Sequence, residues 1–111
     1  MEIKEAVIIA KEAMEDKKAF DVKILNITGL SPIGDYFLLA TGSNTSQIQA
    51  MADAASDALA KAGFFAKQTE GYQNANWILM DYGDFMIHIF NPESREFYNL
   101  ERIWRDAVVE E

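Results

Sequence analysis

Chemistry needs side chains that ionise, attack or ligate, and this chain of 111 residues offers few: one histidine, His88, no cysteine, and eighteen Asp and Glu. Thiolate metal sites and disulfides are therefore excluded, and a zinc site built on one imidazole would need an improbable set of carboxylates. No Gly-x-Ser-x-Gly elbow, phosphate-binding loop or Gly-x-Gly-x-x-Gly turn occurs. Two places remain. Thr41-Gly42-Ser43-Asn44-Thr45 lies where a strand should give way to a helix, and free backbone N–H groups there attract anions. The same residues serve equally as a plain helix cap, the more common use. Gly34-Asp35 opens a strand as the first metal carboxylate of a nucleotidyltransferase would, but that chemistry needs a second carboxylate close by. Tyr36 and Phe37 follow instead. Asp81 and Asp84 substitute only if the fold brings them near. No catalytic residue, metal or cofactor is expected, and the chain reads as a binding protein rather than an enzyme.

The elements that position these residues follow from hydrophobic spacing. Ile3, Ala6, Val7, Ala10, Ala13 and Met14 recur at helical intervals over residues 2 to about 17. Asp21 to Asn26 reads as a strand, Gly29 to Gly34 with Ser31-Pro32 as a loop, and Tyr36 to Thr41 as a continuous apolar strand suited to a sheet centre. A second helix starts at Ser43 to Gln47, where Asn44 and Gln47 have capping-box spacing. Ile48, Met51, Ala52, Ala55 and Leu59 form its buried stripe, and Gly63 ends it. Phe64 to Thr69 reads as a short strand and Gly71 to Asn76 as a polar loop. Trp77 to Tyr82 and Phe85 to Phe90, joined by Gly83-Asp84, read as a hairpin with a primed turn. Asn91-Pro92 opens a last helix in which Phe97, Leu100, Ile103 and Trp104 keep an apolar spacing, with a break near Asn99. The fold class is α/β: one domain with a mixed sheet of about five strands and helices mainly on one face. The segment from Tyr36 to Thr69 should form a right-handed crossover.

Half of the residues are hydrophobic, enough for a core without staples, and no stretch reaches the roughly 20 apolar residues of a membrane span. The start Met1-Glu2-Ile3-Lys4-Glu5 is acidic, unlike a signal or transit peptide, so a cytoplasmic protein is expected. The net charge of −8 disfavours direct contact with nucleic acid and favours basic partners.

The hairpin singles out one surface. A two-residue loop sets Tyr82 opposite Phe85, Met80 opposite Ile87 and Ile78 opposite Ile89, all on one face, which must be core. The other face carries Trp77 with Phe90, Leu79 with His88, and Asp81 with Met86. If helices cover one face only, this second face is an exposed apolar patch, the mark of a protein interface. The alternative is that a helix or the C-terminal segment covers it as a second core layer. His88 beside Leu79 reads as a packed, hydrogen-bonded histidine rather than a catalytic one.

Several segments taken in order resemble the ribosomal silencing factor (Iojap-related) family: Asp35-Tyr36-Phe37, Ala40-Thr41-Gly42-Ser43, Glu70-Gly71, Trp77 to Asp84, Ile87 to Phe90, and Arg95 to Trp104. The resemblance runs from about Ile3 to Trp104. It implies a nucleotidyltransferase-like fold that has lost catalysis. It also implies binding to a basic large-subunit ribosomal protein, number fourteen, where the small subunit docks, so that subunit joining is blocked and translation falls when nutrients are scarce. A large-subunit assembly role, a nucleotide-binding role and a homodimer that buries the Trp77 face are the alternatives. The partner-binding residues it implies are Trp77, Leu79, Asp81, Asp84, Met86, His88, Tyr98 and Glu101. One departure is Gln47, where the family often has a histidine. The tail from Asp106 to Glu111 lies beyond the resemblance and reads as a frayed acidic end.

Overall fold

A computed structural model describes residues 2–30, 34–104 and 108–109. Helix α1 (Ile3–Glu15) is followed by β1 (Phe20–Asn26), β2 (Tyr36–Thr41), α2 (Thr45–Lys61), β3 (Gln68–Glu70), β4 (Trp77–Asp81), β5 (Phe85–Phe90), α3 (Pro92–Tyr98), α4 (Leu100–Ile103) and β6 (Val108–Val109). The strands form one sheet in the order β3-β4-β5-β2-β1-β6, mixed in direction: β2 and β5 run parallel and the other neighbours antiparallel. Thus the α/β class and the mixed sheet are as expected, with β6 as a sixth, two-residue strand. It pairs with Leu25 and Asn26, so part of the expected frayed tail is an edge strand. The rest of that tail, and Ser31-Pro32 of the expected loop, lie outside the described residues. β3 is three residues long rather than six, because Phe64 and Phe65 precede the ladder and Phe65 is left exposed.

Helices α1 and α2 lie on one face. Ala6, Val7, Ala10 and Met14 of α1 join Ile48, Met51, Ala55 and Leu59 of α2 over Ile24, Leu38, Ala40, Ile78, Met80, Ile87 and Ile89 of the sheet. Small residues let the helix approach: a Cβ on Gly42 would stand 2.7 Å from a side-chain carbon of Ile48. Asn44 caps α2 by accepting from the Gln47 N–H at 2.8 Å. The reciprocal half of the box is displaced by one residue, since the Gln47 side chain accepts from the Ser43 N–H. That side chain also donates to the carbonyls of Lys17 and Lys18, both at 3.0 Å, and so ties the end of α1 to the start of α2. Gln47, noted above as a departure from the resemblance, is thus a structural clamp in this chain.

On the opposite face α3 and α4 cover only part of the sheet. Leu25, Ile27, Phe37, Leu39, Phe90 and Leu100 form a second core, with Trp77, Met86 and Trp104 packed half-buried against it. The expected break falls at Asn99, which adopts φ +44° and caps α4 by accepting from the Arg102 N–H. That break resets the helical register. Consequently Leu100 is buried, whereas Phe97 and Ile103, expected on one apolar stripe with it, are 80% and 67% exposed.

Candidate interaction face

The hairpin builds the candidate site. Its register pairs Trp77 with Phe90, Leu79 with His88 and Asp81 with Met86, which brings those six side chains to one face as the two-residue turn requires. Gly83 takes φ +87°, a conformation that suits glycine in a primed turn. Its N–H is accepted by the Asp81 carboxylate at 2.8 Å, so Asp81 fixes the turn as well as facing outward. The Asp84 carbonyl accepts from the Asp35 N–H at 2.7 Å, so the fold does bring the backbone of these two aspartates together. Among the described residues, however, no three His, Cys, Asp or Glu side chains converge as a metal site would require.

The face divides in two. Toward β1 it is roofed by Leu100 and by Trp104, whose ring meets Phe37 edge-on at 5.3 Å. Toward β3 it is open, with Trp77, Leu79, Asp81 and Met86 half-buried and a groove of about 300 Å³ between Glu70, Gly71, Trp77 and Leu79. The expectation of a wholly exposed face and its alternative of a covered one each describe half of it. Gly71 makes the groove: at φ +80° its missing Cβ would stand 2.2 Å from the Trp77 carbonyl oxygen.

The Trp77 indole is held on three sides. It stacks on Phe90 at 5.2 Å, leans on Tyr98 at 4.6 Å, and donates from Nε1 to Nδ1 of His88 at 3.0 Å. This bond puts the proton of a neutral His88 on Nε2, which is buried and has no hydrogen-bond partner among the described residues. His88 is 4% exposed, and burial lowers its pKa from 6.5 to about 4. His88 is thus a support beneath Trp77 and does not reach the surface, a correction to its expected place among contact residues. Strand alternation put it on this face, and its apolar neighbour marked it as packed and hydrogen-bonded, as it is; the rings of Phe37, Trp77 and Phe90 around it leave it little surface.

The remaining expected contacts separate. Asp84 is exposed at the turn and Tyr98 is 44% exposed beside Trp77. Glu101 sits over the other half of the sheet, bound at 2.9 Å by Arg95 and at 2.9 Å by Lys23. Hydrogen bonding from Arg95 holds its carboxyl down to about 2. Its basic partners are therefore within its own chain, and it does not join Asp81 and Asp84. Arg95, 9% exposed, also donates to the Thr41 hydroxyl at 2.7 Å. Sequence reasoning missed Arg95 and Phe97. The carboxylate six residues after Arg95 was the only signal for the former, and the αL break at Asn99 was the signal for the latter.

Comparison with known proteins agrees with this geometry. The family described as "Ribosomal silencing factor during starvation" matches residues 1–111. The chain is 40% identical over 107 residues to the ribosomal silencing factor RsfS of Halalkalibacterium halodurans, covering 96% of this chain and 92% of that one. It is also 40% identical over 99 residues to the RsfS of Bacillus subtilis, covering 89% and 84%. A crystal structure of a Chromobacterium violaceum protein superposes with a TM-score of 0.91 at 34% identity, covering 94% of this chain and 87% of that one. By sequence and by fold, this chain belongs to the ribosomal silencing factor family.

Proposed function

We propose that the chain represses translation by docking on the large ribosomal subunit, through a basic ribosomal protein (number fourteen), and so sterically blocks the small subunit. The observation that carries this reading is the open half of the second face: an indole clamped by Phe90, Tyr98 and His88, with Leu79 and Met86 beside it and Asp81 and Asp84 at the rim. A preorganised aromatic anchor with a carboxylate rim suits a positively charged protein surface, since little side-chain freedom is lost on binding. The net charge of −8 adds long-range attraction to such a surface. Steric occupancy needs no reaction, so the mechanism has no catalytic step. The contact residues are Trp77, Leu79, Asp81, Asp84, Met86 and Tyr98, with His88 acting through Trp77.

The test is sedimentation of the protein with purified large and small subunits, separately and together. Co-migration with the large subunit and loss of joined ribosomes is the expected result, and Trp77→Asp should abolish both. Co-migration with neither subunit overturns the reading. If Trp77→Asp instead converts a dimer to a monomer without changing subunit binding, the face serves self-association.

A further inference from the structure

Phe97 is the most exposed large hydrophobic side chain among the described residues, at 80%. It stands on α3 one turn after Glu93 and next to Glu96, and these residues with Ser94 and Tyr98 line an open groove of about 500 Å³. Both carboxylates are exposed, and among the described residues neither has an ion pair or hydrogen bond. The Phe97 ring meets Tyr98 edge-on at 5.0 Å, and Tyr98 in turn leans on Trp77 at 4.6 Å. Phe97 therefore extends the Trp77 face around the corner of the sheet.

An exposed ring flanked by two carboxylates that are unpaired among the described residues has a defined complement. The ring face is electron-rich and attracts a cation, the carboxylates add charge of the right sign, and a long aliphatic stem can lie along the ring. Phosphate is repelled by the same two carboxylates, and a second copy of a chain with net charge −8 would bring like charges together. We propose that the Phe97 groove is a second docking point that seats an arginine or lysine side chain of the partner protein between Glu93 and Glu96. This inference rests on the large-subunit docking reading and deepens it by assigning the chemistry of one further contact.

The experiment measures affinity for purified large subunits by the full chain and four variants: F97L, F97W, E93Q/E96Q and W77D. Phe97 packs against little, so its variants should fold, which circular dichroism checks. F97W should bind as wild type, because it keeps the π face, while F97L should bind about tenfold more weakly. E93Q/E96Q should also weaken binding and should flatten its dependence on salt concentration. If F97L and E93Q/E96Q bind like wild type while W77D does not bind, the second docking point is overturned and the docking reading stands. If F97L alone binds like wild type, the carboxylates hold the cation without the ring, and a docking point centred on Phe97 is overturned. If the wild type fails to bind, both fall. If sedimentation velocity shows a dimer that F97L dissociates, the occupant is a second copy and the proposal is overturned.

Discussion

At the scale of single residues, His88 decides how the anchor behaves with pH. Its folded pKa is lowered from 6.5 to about 4 by burial, so between those values the unfolded chain takes up a proton that the folded chain refuses. The resulting stability is present above pH 6.5 and is lost as pH falls toward 4. Chemical denaturation of His88→Phe across this range should show a flatter pH profile than wild type, and an unchanged profile would assign the slope elsewhere. Substitution at Gly71 tests the groove wall. Gly71→Ala combines φ +80° with a Cβ 2.2 Å from the Trp77 carbonyl oxygen, and should cost about 2–4 kcal/mol in urea unfolding. The types and chain positions of these residues were legible in the sequence. That His88 is packed and hydrogen-bonded was legible too, but not how completely the rings of Phe37, Trp77 and Phe90 enclose it, because β2 reaches it from far along the chain.

At the scale of elements, most spans were readable because their signals are local. The hairpin register followed from a two-residue turn and the α2 start from a capping side chain, while the break near Asn99 was expected without the cap that the structure shows there. Where elements meet, local signals failed. The Gln47 clamp joins α1 and α2 across thirty residues of chain, and no spacing rule indicates it. Gln47→Ala should destabilise the protein by about 1–2 kcal/mol, with faster amide exchange at the α1 C-terminus. A loss of stability without that local change would place the effect in the α2 cap instead. Phe97 and Ile103 show the same limit from the other side. They have core chemistry, yet the αL residue between them turns both outward.

At the scale of the whole molecule, charge and shape act together. A net charge of −8 predicts that association with a basic ribosomal surface slows as salt rises from low to physiological concentration, by about tenfold or more, with dissociation changing less. Stopped-flow binding checks this, and a salt-independent association rate would contradict the charge-steered encounter. The large-scale architecture was partly legible: alternation along β4 and β5 separated a pure apolar face from a mixed one, and the apolar run of β2 announced a central strand. By itself the sequence determined most of the secondary elements, the composition of the two sheet faces, the family likeness and the chain's own strongly negative charge. These follow from chain-local geometry, from residue order and from composition. Only the tertiary structure decided how much of the mixed face stays open. That outcome depends on where a short helix pair, redirected by Asn99 and held by Arg95 with Glu101, comes to rest on the sheet. It leaves Trp77 at the boundary, half covered and half presented, because side chains distant in sequence compete for the same apolar surface.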